Sequence, residues 1–321
     1  MPDSSEYQGV LVIGDPHLEG RQPGFRKDDY PTVILEKLAW CLRYAREHRL
    51  LPAILGDLFD KPRDNPTWII CRLVELFDGE IIGLYGNHDC ADPVLGDHDS
   101  LSVLVKARRL RLVTEANPWR GTMNGRAVVV GGSSYRNAIP MRFEPGDVNN
   151  PASAFVIWLT HHDVLIPGYE DGRITPREIP GIDLVVNGHI HRRLEDVRTG
   201  RTVWINPGNI SRRARADATR EHVPSALRIV ITERGCDQSY IDVPHRPFDE
   251  VFHEAIPDVL VDTRRSEFVT GLAELQARRT TSGVGLMEFL DANLEQFEPA
   301  VASEIQCLSR EVLDDESVTN R

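Results

Sequence analysis

Asp183-Leu184-Val185-Val186-Asn187-Gly188-His189-Ile190-His191 is the stretch from which the fold can be read. A short apolar run stops on a small polar cluster that carries two imidazoles. A run of Leu and Val this short suits a strand covered on both faces, the pattern of a parallel sheet. The same unit recurs upstream. Val10-Leu11-Val12-Ile13 stops at Gly14-Asp15, Pro52-Ala53-Ile54-Leu55 at Gly56-Asp57, and Ile81-Ile82-Gly83-Leu84-Tyr85 at Gly86-Asn87-His88-Asp89. Phe155-Val156-Ile157-Trp158-Leu159 stops at Thr160-His161-His162.

Helical segments lie between the early runs. Pro31 suits a first helical position, and Val33, Leu35, Leu38, Leu42 and Ala45 follow at helical spacing. Asn65 as N-cap and Pro66 as first residue mark a second helix, with Ile69, Ile70, Leu73, Leu76 and Phe77 on one side. Strand alternating with helix predicts a layered α/β sheet. After residue 190 the pattern turns to hairpins: Glu195–Arg198 with Thr202–Ile205, then Ala226–Thr232 with Gln238–Val243. Composition shifts around Pro244–Pro257, which divides the chain into a domain over 1–245 and a helical extension over 246–321. In that extension Leu290, Leu294, Phe297, Val301, Ile305, Leu308 and Val312 form an apolar stripe. The stripe either packs on the chain's own sheet or docks a partner helix or coiled coil.

Composition narrows the classes. Of 321 residues, 41% are hydrophobic and 27% charged, which excludes a disordered chain, a collagen-like repeat and a disulfide miniprotein. No apolar stretch is long enough to span a membrane, and Met1–Glu6 lacks the features of a signal peptide. Cys41, Cys71, Cys90, Cys236 and Cys307 are scattered, as expected of reduced thiols in a cytoplasmic protein. The net charge of −12 means that any nucleic-acid binding relies on local basic patches. Lys106–Arg111, Arg192-Arg193 and Arg212–Arg215 are the candidates.

Ligands of parallel α/β sheets bind at the carboxyl ends of strands. Here five strand ends each deliver Asp, Asn or His. Oxygen and imidazole donors without thiolate favour Mn²⁺, Fe or Zn²⁺. The donors outnumber what one ion can take, so a pair of cations sharing a carboxylate fits. The steps Asp15/His17 and His189/His191 place both side chains of each pair on one side of an extended backbone.

Taken together, Asp15-x-His17, Gly56-Asp57-x-x-Asp60, Gly86-Asn87-His88-Asp89, His161 and Gly188-His189-x-His191 resemble the calcineurin-like metallophosphoesterase superfamily over residues 9–210. The resemblance implies an α/β fold, a four-layer αββα sandwich with the C-terminal helical extension beyond it. It implies one divalent cation on Asp15, His17, Asp57 and His191, and another on Asp57, Asn87, His161 and His189. Mn²⁺ leads over Fe, Zn²⁺ and Mg²⁺. His161 matches the family position better than His162. His88 would donate a proton to the leaving oxygen with Asp89 orienting it, a metal-bridging hydroxide would attack phosphorus, and Asp60 would support its loop.

Gly56–Pro62 and Gly188–His191 are similar to the Mre11/SbcD branch of DNA-repair nucleases. That likeness implies an exo- or endonuclease acting on DNA; the basic clusters after His191 and after the Pro207-Gly208 turn place Arg192, Arg193 and Arg212 as its contacts to substrate phosphate. The likeness also implies an SbcC/Rad50-like ATPase coiled coil gripping the C-terminal helices, and homodimerisation. The segment after Val243 is shorter than that branch's capping region, and Glu19 stands where the branch often has Gly. A stand-alone phosphodiesterase or phosphatase on nucleotides or small phosphoesters is the alternative. A metal-bound, non-catalytic scaffold is the third reading.

Overall fold

The computed structural model describes residues 7–23, 25–145, 154–213, 215 and 220–253. Two six-stranded sheets form its centre. The first runs β12-β11-β1-β2-β3-β4, with β1 (Gly9–Ile13), β2 (Leu50–Ile54), β3 (Ile82–Gly83) and β4 (Arg111–Leu112) parallel. The hairpin β11 (Ser225–Thr232) and β12 (Gly235–Asp242) closes one edge antiparallel. The second runs β5-β6-β7-β8-β10-β9. Here β6 (Arg126–Ser133), β7 (Phe155–Thr160), β8 (Leu184–Asn187) and β10 (Thr202–Ile205) are parallel, while β5 (Trp119–Met123) and β9 (Val197–Thr199) pair antiparallel at the edges.

The sheets pack through alternate side chains. Val10, Val12, Leu51, Ala53, Leu227 and Ile229 of the first meet Val128, Val130, Ile157, Leu159, Leu184 and Val186 of the second. On the first sheet's outer face, Leu11, Ile13 and Ile54 pack under α1 (Tyr30–Glu47), α2 (Thr67–Leu76) and α3 (Ser100–Lys106). Strands buried on both faces explain the unbroken apolar runs. The second sheet's outer face, with Val129, Val156, Trp158, Val185 and Trp204, is covered by Ile139, Phe143, Val164, Ile166, Ile179 and Ile182. The architecture is the expected sandwich of two packed sheets with α-helices on the first, although among the described residues the outermost layer over the second is irregular chain rather than helix.

Two helix expectations need correction. Pro66, with ψ 133, is itself the cap of α2, while the Asn65 amide donates to the Lys61 carbonyl and the Ser100 hydroxyl. The buried face of α1 runs through Ile34, Leu38, Cys41, Leu42 and Ala45, leaving Val33 and Leu35 half-buried. The chain divides into the compact units Met1–His253 and Glu254–Arg321. Residues 246–253, including α4 (Phe248–Val251), stay with the first unit. The apolar stripe of the extension lies outside the described residues. Among the described residues no helix is long and apolar enough to cross a membrane, and the four described cysteines are free thiols.

Candidate metal centre

The loops leaving β1, β2 and β3 of one sheet and β7 and β8 of the other meet at one edge of the sandwich. Asp15, His17, Asp57 and His191 bring their ligating atoms within 4.8 Å of one another, and so do Asp57, His161 and His189. Asp57 belongs to both groups. The His161 Nε2 lies 3.2 Å from Asp57 Oδ2 and 3.3 Å from Asn87 Oδ1. His189 Nδ1 lies 2.9 Å from the same Asn87 oxygen. His162 turns away, its Nε2 on the Asn137 carbonyl at 2.9 Å.

The backbone reaches this arrangement by left-handed turns. Asp15, His17, Asp57 and His189 have φ of 36, 47, 46 and 70°. Neither Asp15/His17 nor His189/His191 therefore lies on extended backbone, and that expectation is corrected. Non-glycine residues in this region carry strain, and such positions cluster at functional sites. Gly56, at φ 100°, lets the loop turn where a Cβ would lie 2.7 Å from the His161 ring.

Hydrogen bonding fixes the tautomers. The His161 Nδ1–H donates to the Leu55 carbonyl at 2.7 Å, which turns Nε2 toward Asp57 and Asn87. The His189 Nε2–H donates to Asp163 at 2.7 Å, so Nδ1 and Asn87 Oδ1 present lone pairs to each other. His17 Nε2 and His191 Nε2 stand 2.8 Å apart. Asp15 Oδ1 accepts the His189 amide at 2.8 Å, while its buried Oδ2 has no partner. Facing lone pairs and an orphaned buried carboxylate oxygen are what bound cations satisfy. The donor set fits two divalent ions.

Electrostatics agree. Burial pulls the His161 imidazole down, but Asp57 outweighs it and lifts the pKa to about 10. Burial likewise lowers His17 until Asp60, Asp57 and Asp15 leave it above the ordinary range. Burial raises Asp57, yet His161 and His17 hold it well below the usual carboxylate range. For Asp15 burial prevails and its pKa is raised. Protons thus stand where cations would bind, and loading metal releases them.

The other expected residues divide. His88 packs edge-on to His17, ring centroids 4.8 Å apart, with Nδ1–H donating to the Asp60 carbonyl at 2.7 Å. Asp89 does not orient it. The fully buried Asp89 carboxylate accepts the amides of Leu58, Phe59 and Gly86, because the turn at Gly86–Asp89 aims it back between the two loops. Burial, then Asp57, push its pKa up to about 7. Arg193 lies over the Tyr240 ring at 3.4 Å, and Arg212 donates to the His222 and Arg246 carbonyls, so neither reaches the centre. Arg192 is exposed and donates to the Gly168 carbonyl. Arg213 reaches Asp60 at 2.7 Å and Glu19 at 3.2 Å instead. Sequence reasoning named Arg213 only within the basic cluster 212–215, and missed Asp163 and Tyr135, whose ring stacks 6.2 Å from His189. Tyr135 follows the carboxyl end of β6, parallel to β7, so the strand-end rule already pointed to it.

The sequence model described as calcineurin-like phosphoesterase matches residues 9–193. Among solved structures, a conserved uncharacterized protein from Streptococcus pneumoniae TIGR4, described as a predicted phosphoesterase, is similar at 11% identity and a TM-score of 0.34. The match covers 75% of this chain and 92% of that one. No curated protein matches the chain.

Proposed function

This chain belongs to the calcineurin-like phosphoesterase family, and on that premise we propose that it is a metal-dependent DNA nuclease of the Mre11/SbcD type. The sharing of Asp57 between two His/Asp clusters carries the phosphoester hydrolase reading. Gly56–Pro62 and Gly188–His191 support the nuclease branch. Asp15, His17, Asp57 and His191 would hold one cation, and Asp57, Asn87, His161 and His189 the other; a mixed imidazole and oxygen set without thiolate suits Mn²⁺, Fe or Zn²⁺, with Mn²⁺ the first choice of this reading. Two bound cations supply Lewis acidity toward phosphate oxygens and a lowered pKa for water.

The chain's own residues do the rest. Asp60 fixes the His88 ring through Nδ1, leaving Nε2 to deliver the imidazolium proton to the departing oxygen. Asp89 locks the Asp57 and Asn87 loops together. An SbcC/Rad50-like ATPase and a second copy of the chain are the partners this reading assigns.

A second reading, hydrolysis of nucleotides or small phosphoesters, is favoured by Arg193 and Arg212 being engaged elsewhere. A Mn²⁺ assay comparing linear duplex DNA, cyclic nucleotides and p-nitrophenyl esters separates the two. The nuclease reading expects DNA cleavage, lost in Asp57→Ala and reduced about 10²–10⁴-fold in His88→Ala. Turnover confined to the small esters overturns it in favour of the second reading.

A further inference from the structure

Apart from the metal-ligand clusters, α1 and the segment leading into α4 line a half-open cavity of about 440 Å³. Arg26, Lys37 and Arg212 line it and are only 4, 5 and 7% exposed. Asp28 neutralises Arg26 at 2.7 Å. Among the described residues Lys37 has no carboxylate partner: its Nζ donates to the Ile210 carbonyl at 2.7 Å. Arg212 likewise spends its donors on the carbonyls of His222 and Arg246. Arg43 and Arg246 stand exposed at the mouth, beside the exposed carboxylate Glu36. Trp40 lines the same cavity, its ring braced by Tyr44 at 5.3 Å.

Two buried cations without counter-ions among the described residues are costly unless an anion offsets them. The burden is already visible at Lys37, where burial, then Arg26 and Arg212, lower the ammonium pKa to about 7. A phosphate monoester carries close to two negative charges at neutral pH and several strong acceptor oxygens. The volume lies within the range of small-molecule sites, and an indole offers a stacking face for a planar ring.

We propose that this cavity is a second ligand site, taking a phosphate monoester of nucleotide size with its phosphate on Lys37, Arg43 and Arg246 and its planar group against Trp40. None of the cavity's residues belongs to the metal clusters, so occupancy does not depend on metal. The test is calorimetric titration of the full chain in EDTA with adenosine monophosphate, adenosine and a short DNA duplex. The expected result is saturable binding of the monophosphate, at least tenfold weaker binding of adenosine, and unchanged monophosphate binding in Asp57→Asn. Lys37→Met weakens it at least tenfold. The exposed charge reversals Arg43→Glu and Arg246→Glu do so as well, without burying any new group. Absence of monophosphate binding, equal affinity for adenosine, binding of duplex alone, or binding lost in Asp57→Asn but kept in Arg246→Glu overturns the proposal.

Discussion

Asp163 shows how a residue outside the ligand set can govern it. Its carboxylate accepts the Nε2–H of His189 at 2.7 Å and also the Tyr169 hydroxyl at 3.3 Å. A carboxylate behind a ligating imidazole fixes the tautomer and raises the basicity of the other nitrogen. Asp163→Asn should therefore weaken divalent-metal affinity about 10–100-fold with the fold intact, as read by calorimetric Mn²⁺ titration and circular dichroism. Unchanged affinity would remove Asp163 from the centre. The ligand candidates were legible because Asp, Asn and His stand directly after apolar runs. Asp163 was not, since its contact with His189 is made only when β7 and β8 pair side by side. Asp89 was misread for a related reason. Adjacency to His88 in sequence said nothing about the turn that points it the other way.

Among the elements, the carboxyl ends of β7, β8 and β10 are tied by two buried amides. The Asn187 oxygen accepts the Thr160 hydroxyl and the His162 amide, and its nitrogen donates to the carbonyls of His162 and Gly188 and to the Asn206 oxygen. Asn206 in turn donates to the carbonyls of Ile190 and Arg192. Asn187→Ala leaves several of these buried groups unpaired, at a cost of about 1–3 kcal/mol for each left unsatisfied. Urea unfolding should show a loss of at least that size, and a change within about 0.5 kcal/mol would mark the ladder as dispensable. Strands buried on both faces were readable from the sequence. The β5–β6 hairpin was not, although Asn124-Gly125, with φ of 47 and 76°, is a strong turn signal. Its strand Trp119–Met123 includes an exposed Arg120 and lacks an apolar run. The reading of Ile81–Tyr85 as a strand overshot, because only Ile82–Gly83 keeps ladder geometry before the chain turns into the site.

Across the whole molecule, Lys37 makes stability depend on pH in the opposite sense from an ordinary ion-paired lysine. Its folded pKa is about 7, against 10.5 without the fold. Below about pH 7 both states hold the proton. Between there and 10.5 the unfolded chain holds a proton that the folded chain has shed, so stability rises with pH, at most about 1.4 kcal/mol per unit. In phosphate-free buffer, the stability difference between wild type and Lys37→Met should shift in favour of wild type from pH 7 to pH 9.5. A difference that stays flat across that range refutes the assignment.

The centre is divided between the two sheets. The first half of the chain supplies Asp15, His17, Asp57 and Asn87, and the later half supplies His161, His189 and His191. Neither half can make a complete cage, so an ion captured there works as a rivet through both layers. During synthesis it can be set only after the strand that delivers His191 has emerged and docked.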